Sequence, residues 1–141
     1  MWSMLLRTLK RLLGSISKPK WIPIALYTVL ILYITIFSRT PGSERIVKGL
    51  FWEVRMGYWW DIVLNILLFI PLGILIGDKR AILIGLALSV GIELTQYVFK
   101  LGICEADDLV NNAIGTAIGF SLYSLFSVLF KKYKNKRTQK T

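Results

Sequence analysis

The stretch Ala81–Phe99, AILIGLALSVGIELTQYVF, decides the fold. It has the length and apolarity of a membrane-crossing helix, since about 20 residues span about 30 Å of hydrocarbon. It also carries a carboxylate, Glu93, and an amide, Gln96, one helical turn apart. An ionisable group inside a span costs at least about 2.5–3.5 kcal/mol on insertion scales and marks a functional position by default. Three further apolar segments accompany it: residues 21–37, residues 59 or 62 to 77 with Pro71 inside, and residues 109–130. The expected fold is therefore all-α, an integral membrane bundle of four transmembrane helices.

Composition agrees with that class. Of 141 residues, 55% are hydrophobic, and the mean hydropathy of +0.58 is too high for a soluble domain of this size. Histidine is absent and Cys104 is the lone cysteine, which removes the usual neutral-pH base, the commonest metal ligand and any intrachain disulfide. Trp21, Trp59, Trp60 and Tyr97 fall near span ends, where interfacial aromatics belong. No small-x-small cleavage site follows the first span, so it is expected to be retained.

Lys and Arg set the orientation. With both termini cytoplasmic, the inner stretches hold Arg7, Lys10, Arg11, Lys18, Lys20, Lys79, Arg80, Lys131, Lys132, Lys134, Lys136, Arg137 and Lys140. The outer ones hold only Arg39, Arg45, Lys48, Arg55 and Lys100. That asymmetry obeys the positive-inside rule and accounts for the net charge of +10 without nucleic acid as a partner. Three regions follow: a basic amphipathic interfacial helix over 1–18, a four-span domain over 19–130, and a basic tail over 131–141 expected to be flexible. In the first, Trp2, Leu5, Leu9, Leu12, Leu13 and Ile16 oppose Arg7, Lys10 and Arg11, a pattern suited to the headgroup layer.

In this topology the polar residues collect at one depth. Glu93 lies about 9 Å and Gln96 about 4.5 Å from the outer end of their span, at about 1.5 Å per residue. Asp61 and Asn65 open the second span and Asp108 and Asn112 the fourth, each pair at i, i+4 on one helix face. Arg39 is the candidate counter-charge. Gly73-x-x-x-Gly77, Gly115-x-x-x-Gly119 and Ala87-x-x-x-Gly91 offer close helix contact. Pro71 is expected to kink the second span and free a backbone carbonyl. Asp107 is read as the N-terminal cap of the last helix. The aromatic loop 51–60 is suited either to lying on the outer leaflet or to roofing the cluster.

These residues also carry a resemblance. Asn65-Ile66-Leu67-Leu68-Phe69-Ile70-Pro71-Leu72-Gly73 resembles the N-x-x-x-F-x-P-x-G segment of the VanZ-like membrane family. Glu93-Leu94-Thr95-Gln96 is similar to its E-L-x-Q, and Asp107 to Gly115 to its D-D-x-x-x-N-x-x-G. Ser38-Arg39-Thr40-Pro41 resembles its serine–arginine turn. The blocks run in order over residues 38–120. Many relatives carry an arginine in the loop before the acidic pair, where this chain has Lys100-Leu101-Gly102-Ile103-Cys104-Glu105; if that arginine pairs with a carboxylate in them, either Lys100 or Arg39 substitutes here or nothing does. The resemblance implies a multi-pass protein of a bacterial cell membrane, in a family named for a member associated with teicoplanin resistance.

Three functional classes stay open. One is an outer-leaflet site for a membrane lipid, a lipid-linked envelope precursor or the lipophilic tail of a glycopeptide. A second is an intramembrane enzyme using Glu93 and Asp108 as acid and base. The third is a structural cluster that only fixes helix packing, with homo-oligomerisation left open. No cofactor or metal is expected. Were a cation present, Glu93, Asp108 and Asp61 with the amide oxygens of Asn65 or Asn112 would suit Mg²⁺, Ca²⁺ or Mn²⁺.

Overall fold

The structure, a computed structural model, describes residues 21–39, 41–42 and 46–138. The amphipathic helix expected over 1–18 lies outside them. Helix α1, Trp21–Leu32, runs into a π-helical turn, Tyr33–Phe37. Strand β1, Ile46–Lys48, and the short helix α2, Trp52–Met56, follow. Helices α3, Trp59–Ile76, and α4, Ala81–Phe99, then lead through strand β2, Ile103–Glu105, to helix α5, Ala106–Thr138.

Among the described residues three helical stretches are long and apolar enough to cross a membrane: Trp59–Ile76, Ala81–Phe99 and Ala106–Tyr133. Trp21–Phe37 is apolar but shorter. Outward-facing Leu26, Leu83, Phe126 and Val128 are exposed, an apolar surface that suits lipid and would be costly in water. The buried core is small, with Ile31, Phe69, Leu72 and Ile92 joining α1, α3 and α4.

The most extensive contact is α3 on α5, and glycine makes it. A Cβ on Gly115 would strike the Ile66 carbonyl oxygen, and one on Gly119 the Ile70 carbonyl oxygen. One on Gly73 would stand 2.9 Å from the Phe120 nitrogen. Without a hydrophobic drive between helices in lipid, such backbone-to-backbone packing supplies the association. Gly77 has a different task. It ends α3 in the left-handed region at φ 61°, its N–H donating to the Gly73 carbonyl at 3.1 Å. Gly91 meets nothing within 4 Å, so Ala87-x-x-x-Gly91 is no packing seam; on α4 it is Gly85 that abuts a neighbour, the Thr116 side chain.

Two expectations about regularity change. The fold is mostly helical, not purely α: β1 and β2 pair in parallel, Ile46 opposite Ile103 and Lys48 opposite Glu105. β-branched residues favour that pleated arrangement, and it ties the loop after α1 to the α4–α5 connection. The basic segment after Phe130 is also helical as far as Thr138, because a helix already nucleated propagates cheaply through Lys and Arg. Helix α3 continues through Pro71. The Tyr27 hydroxyl donates to the Leu68 carbonyl at 2.9 Å, beside the Leu67 carbonyl whose i+4 partner the proline removes.

Candidate functional site

Because α3, α4 and α5 are joined by short turns, the start of α3, the end of α4 and the start of α5 meet at one end of the bundle. The β1–β2 pair and α2 cover that end. Six of the eight acidic residues are there: Glu53, Asp61, Glu93, Glu105, Asp107 and Asp108. Asp78, on the turn between α3 and α4, is at the other end with Lys79 and Arg80.

A cleft of about 690 Å³ opens among them. Arg39, Glu53, Asp61, Asn65, Glu105 and Asp108 supply its polar lining, while Ile34, Leu64 and Leu68 supply an apolar one. Asn65 donates from Nδ2 to Oδ1 of Asp108 at 2.5 Å, joining α3 to α5 as one turn of each helix presents them. Glu93 is 4% exposed, and its Oε2 accepts the backbone N–H of Glu105 at 2.8 Å. The Cys104 thiol and the Asp108 carboxyl are close neighbours of Glu93. Arg39 provides the nearby positive charge on Glu93 and lies over Gly102, where a Cβ would come within 2.6 Å of its guanidinium. Gly102 itself has φ 146°.

Three residues expected in the cluster, Glu93, Asn112 and Gln96, do not line the cleft. Asn112 is directed between α4 and α5, where its Nδ2 donates to Ser89 Oγ at 2.8 Å. Gln96 donates from Nε2 to the Thr35 carbonyl at 2.9 Å, fastening α4 to the π-helical turn. Both amides are buried, and Oδ1 of Asn112 and Oε1 of Gln96 have no hydrogen-bond partner. Asp61 stands exposed at the mouth.

The structure also adds Glu53 and Glu105, which periodicity does not mark. Helix α2 turns Glu53 inward until it is 1% exposed, with Oε2 accepting from Asn111 Nδ2 at 2.7 Å. The aromatic loop thereby covers the acidic end with a helix. Asp107 caps that helix rather than its own: Oδ1 accepts the Phe51 N–H at 2.5 Å and Oδ2 the Glu53 N–H at 2.9 Å. The loop reaches it because Phe51 adopts the left-handed region. Lys48 Nζ lies 3.4 Å from Glu105 Oε1 and 4.5 Å from the centre of the Trp52 ring.

Burial pushes the Glu53 carboxyl up from 4.5 to about 7; the Asn111 hydrogen bond opposes the rise, and the charges of Glu105, Asp107 and Asp61 add to it. A carboxyl whose folded pKa is raised binds its proton more tightly in the folded state. Its contribution to stability is thus fully present below pH about 4.5 and lost as pH rises through about 7. Thermal unfolding of the detergent-solubilised protein in the presence of chelator should show this decline, and Glu53→Gln should flatten it. An equal decline in the variant would assign it to another group. Burial, with the Glu93 carboxylate next, pushes the Cys104 thiol up, which leaves it a poor nucleophile at neutral pH.

The family model described as VanZ/LLP1 matches residues 24–127. The chain belongs to that family. Together with the apolar helices, the match makes this VanZ-like chain a membrane protein. Every element that builds the acidic end lies inside the matched region, from the π-helical turn of Tyr33–Phe37 to the first turns of α5. No curated protein and no solved structure matches the chain.

Proposed function

We propose that this VanZ-like protein crosses the cell membrane four times, with α1 as the first span and both termini cytoplasmic, and that its cleft receives the polar head of an amphiphile from the outer leaflet. The observation that carries the reading is the mixed lining. Arg39, Asn65 and the carboxylates supply its polar part, and Ile34, Leu64 and Leu68 its apolar part. A head group would be held by the first and the start of an acyl chain by the second, the arrangement expected of small-molecule sites with a few placed polar groups. The ligand class is a lipid, a lipid-linked envelope precursor or the tail of a lipoglycopeptide. Retaining such a molecule would alter how a glycopeptide reaches its target, with no reaction on either.

The closeness of Glu93 and Asp108 favours a second reading, acid–base chemistry on the bound lipid, because two neighbouring carboxyls can offer both an acid and a base. Teicoplanin and vancomycin susceptibility of cells making wild type, Glu93→Gln or Asp108→Asn, with membrane levels quantified, tests the first reading. Wild type should protect more against teicoplanin, which carries the lipid tail, and both variants should lose protection at normal abundance. Protection that survives both changes would reduce the carboxylates to packing.

A further inference from the structure

Two cations of the acidic end are already engaged there. Lys48 is committed to Glu105, and Arg39 provides positive charge on Glu93. Glu53, Glu105 and Asp108 come from three different elements: α2, β2 and α5. Each offers a carboxylate oxygen, and the three oxygens lie within 4.8 Å of one another. Oxygens bound to one ion at about 2.4 Å can be at most about 4.8 Å apart, so the spacing is that of a single calcium-sized shell.

A second observation points the same way. Glu53 is almost wholly buried, lines the cleft, and uses only Oε2, on Asn111; its Oε1 has no hydrogen-bond partner. In its ionised form a carboxylate oxygen is acceptor-only, and buried it is expensive to leave unmet. A donor side chain would have been the simple solution, yet what faces Glu53 is two further carboxylates.

We propose that Glu53, Glu105 and Asp108 bind a hard divalent cation, Ca²⁺ or a similar oxygen-seeking ion, at the head of the cleft. The set is all oxygen, with neither imidazole nor thiolate, which selects against zinc and copper. Both Glu105 and Asp108 retain acceptor capacity beyond their contacts with Lys48, Asn65 and Glu93, since a carboxylate offers about four lone-pair sites. All three residues line the cleft, so the ion's remaining coordination positions are open to it. Resting on the amphiphile reading above, the ion would make an acid-lined cleft accept an anionic head group such as a phosphate, which the carboxylates alone would repel.

The test uses the full chain in detergent, stripped with chelator, and Mn²⁺ as the probe. Loss of the free-ion electron paramagnetic resonance signal should report one Mn²⁺ per chain, with an affinity near or tighter than about 1 mM, as in extracellular calcium modules. Added Ca²⁺ should displace it. Glu53→Gln and Glu105→Gln should each weaken binding about tenfold or more, while Asp78→Asn, at the opposite end, should leave it unchanged. Should Glu53→Gln fail to fold, Glu105→Gln reads the same site from a surface strand, and Ca²⁺ should still raise the melting temperature of the wild type. Wild type that leaves the Mn²⁺ signal free, or a folded Glu105→Gln that binds as well as wild type, overturns the site. That failure would leave the amphiphile reading standing, because drug susceptibility tests it separately.

Discussion

Gly119→Leu is expected to abolish assembly of the bundle, while Gly91→Leu leaves it intact. The two glycines differ only in surroundings. A Cβ on Gly119 would collide with the Ile70 carbonyl oxygen and stand 3.0 Å from the Gly73 Cα. Both neighbours are backbone and cannot rotate away, and α3 already meets α5 again at Ile66, against Gly115. Overpacking costs about 1–3 kcal/mol where side chains can yield; here the helices themselves must separate, so the cost should exceed about 3 kcal/mol. Separation would also pull Asn65 away from Asp108, since the same pair of helices presents them. Gly91 meets nothing within 4 Å, and a leucine there adds one more apolar side chain to an apolar surface. Membrane abundance and size-exclusion profile in mild detergent compare the two. A monodisperse, stable Gly119→Leu protein would mean that the α3–α5 contact is not what holds the bundle.

Hydropathy made the long helices legible, and i, i+4 spacing the polar faces. The boundaries of Ala81–Phe99 follow from its composition, and Asn65 and Asp108 meet because each lies in the first two turns of a helix starting at the same end of the bundle. Spacing has a limit that Asn112 exposes. It shares a face with Asp108, yet the crossing of α4 and α5 carries that face from the cleft to Ser89 within one turn. Which residue of a stripe reaches a cavity depends on crossing geometry, which one strand of text does not hold.

The larger omission was Glu53 and Glu105, which lie on a short helix and a three-residue strand where no period develops. One signal was present. Glu105, Asp107 and Asp108 fall within four residues at the α4–α5 junction, in a chain with only eight acidic residues. Such a concentration asks for a partner in space. Finding Glu53 as that region's neighbour required knowing that Phe51 turns left-handed, a conformation uncommon for a bulky residue and unmarked by its type.

That turn leads to the second large effect. Asp107→Ala should release α2 from the acidic end. The carboxylate holds the N–H groups of Phe51 and Glu53 at once, and hydrogen bonds to a charged group contribute about 1.5–3 kcal/mol each. Against them stands the left-handed Phe51, at φ 64°, which costs about 1 kcal/mol or more for a residue with a Cβ. With both bonds gone, the five-residue helix is too short to persist alone. Glu53 would leave Asn111, whose buried amide would then lose its acceptor. The net loss should be about 3 kcal/mol, local to residues 51–57, with α3, α4 and α5 retained. Amide hydrogen exchange resolves this: protection over 51–57 should vanish in Asp107→Ala while that of Ala81–Phe99 stays. Phe51→Gly supplies the converse. It removes the conformational cost without touching the acceptor, so in the Asp107→Ala background it should restore part of the protection. If Asp107→Ala leaves 51–57 fully protected, the aromatic loop is held by Trp52 and its neighbours, and the acidic end owes its cover to packing instead of to this carboxylate.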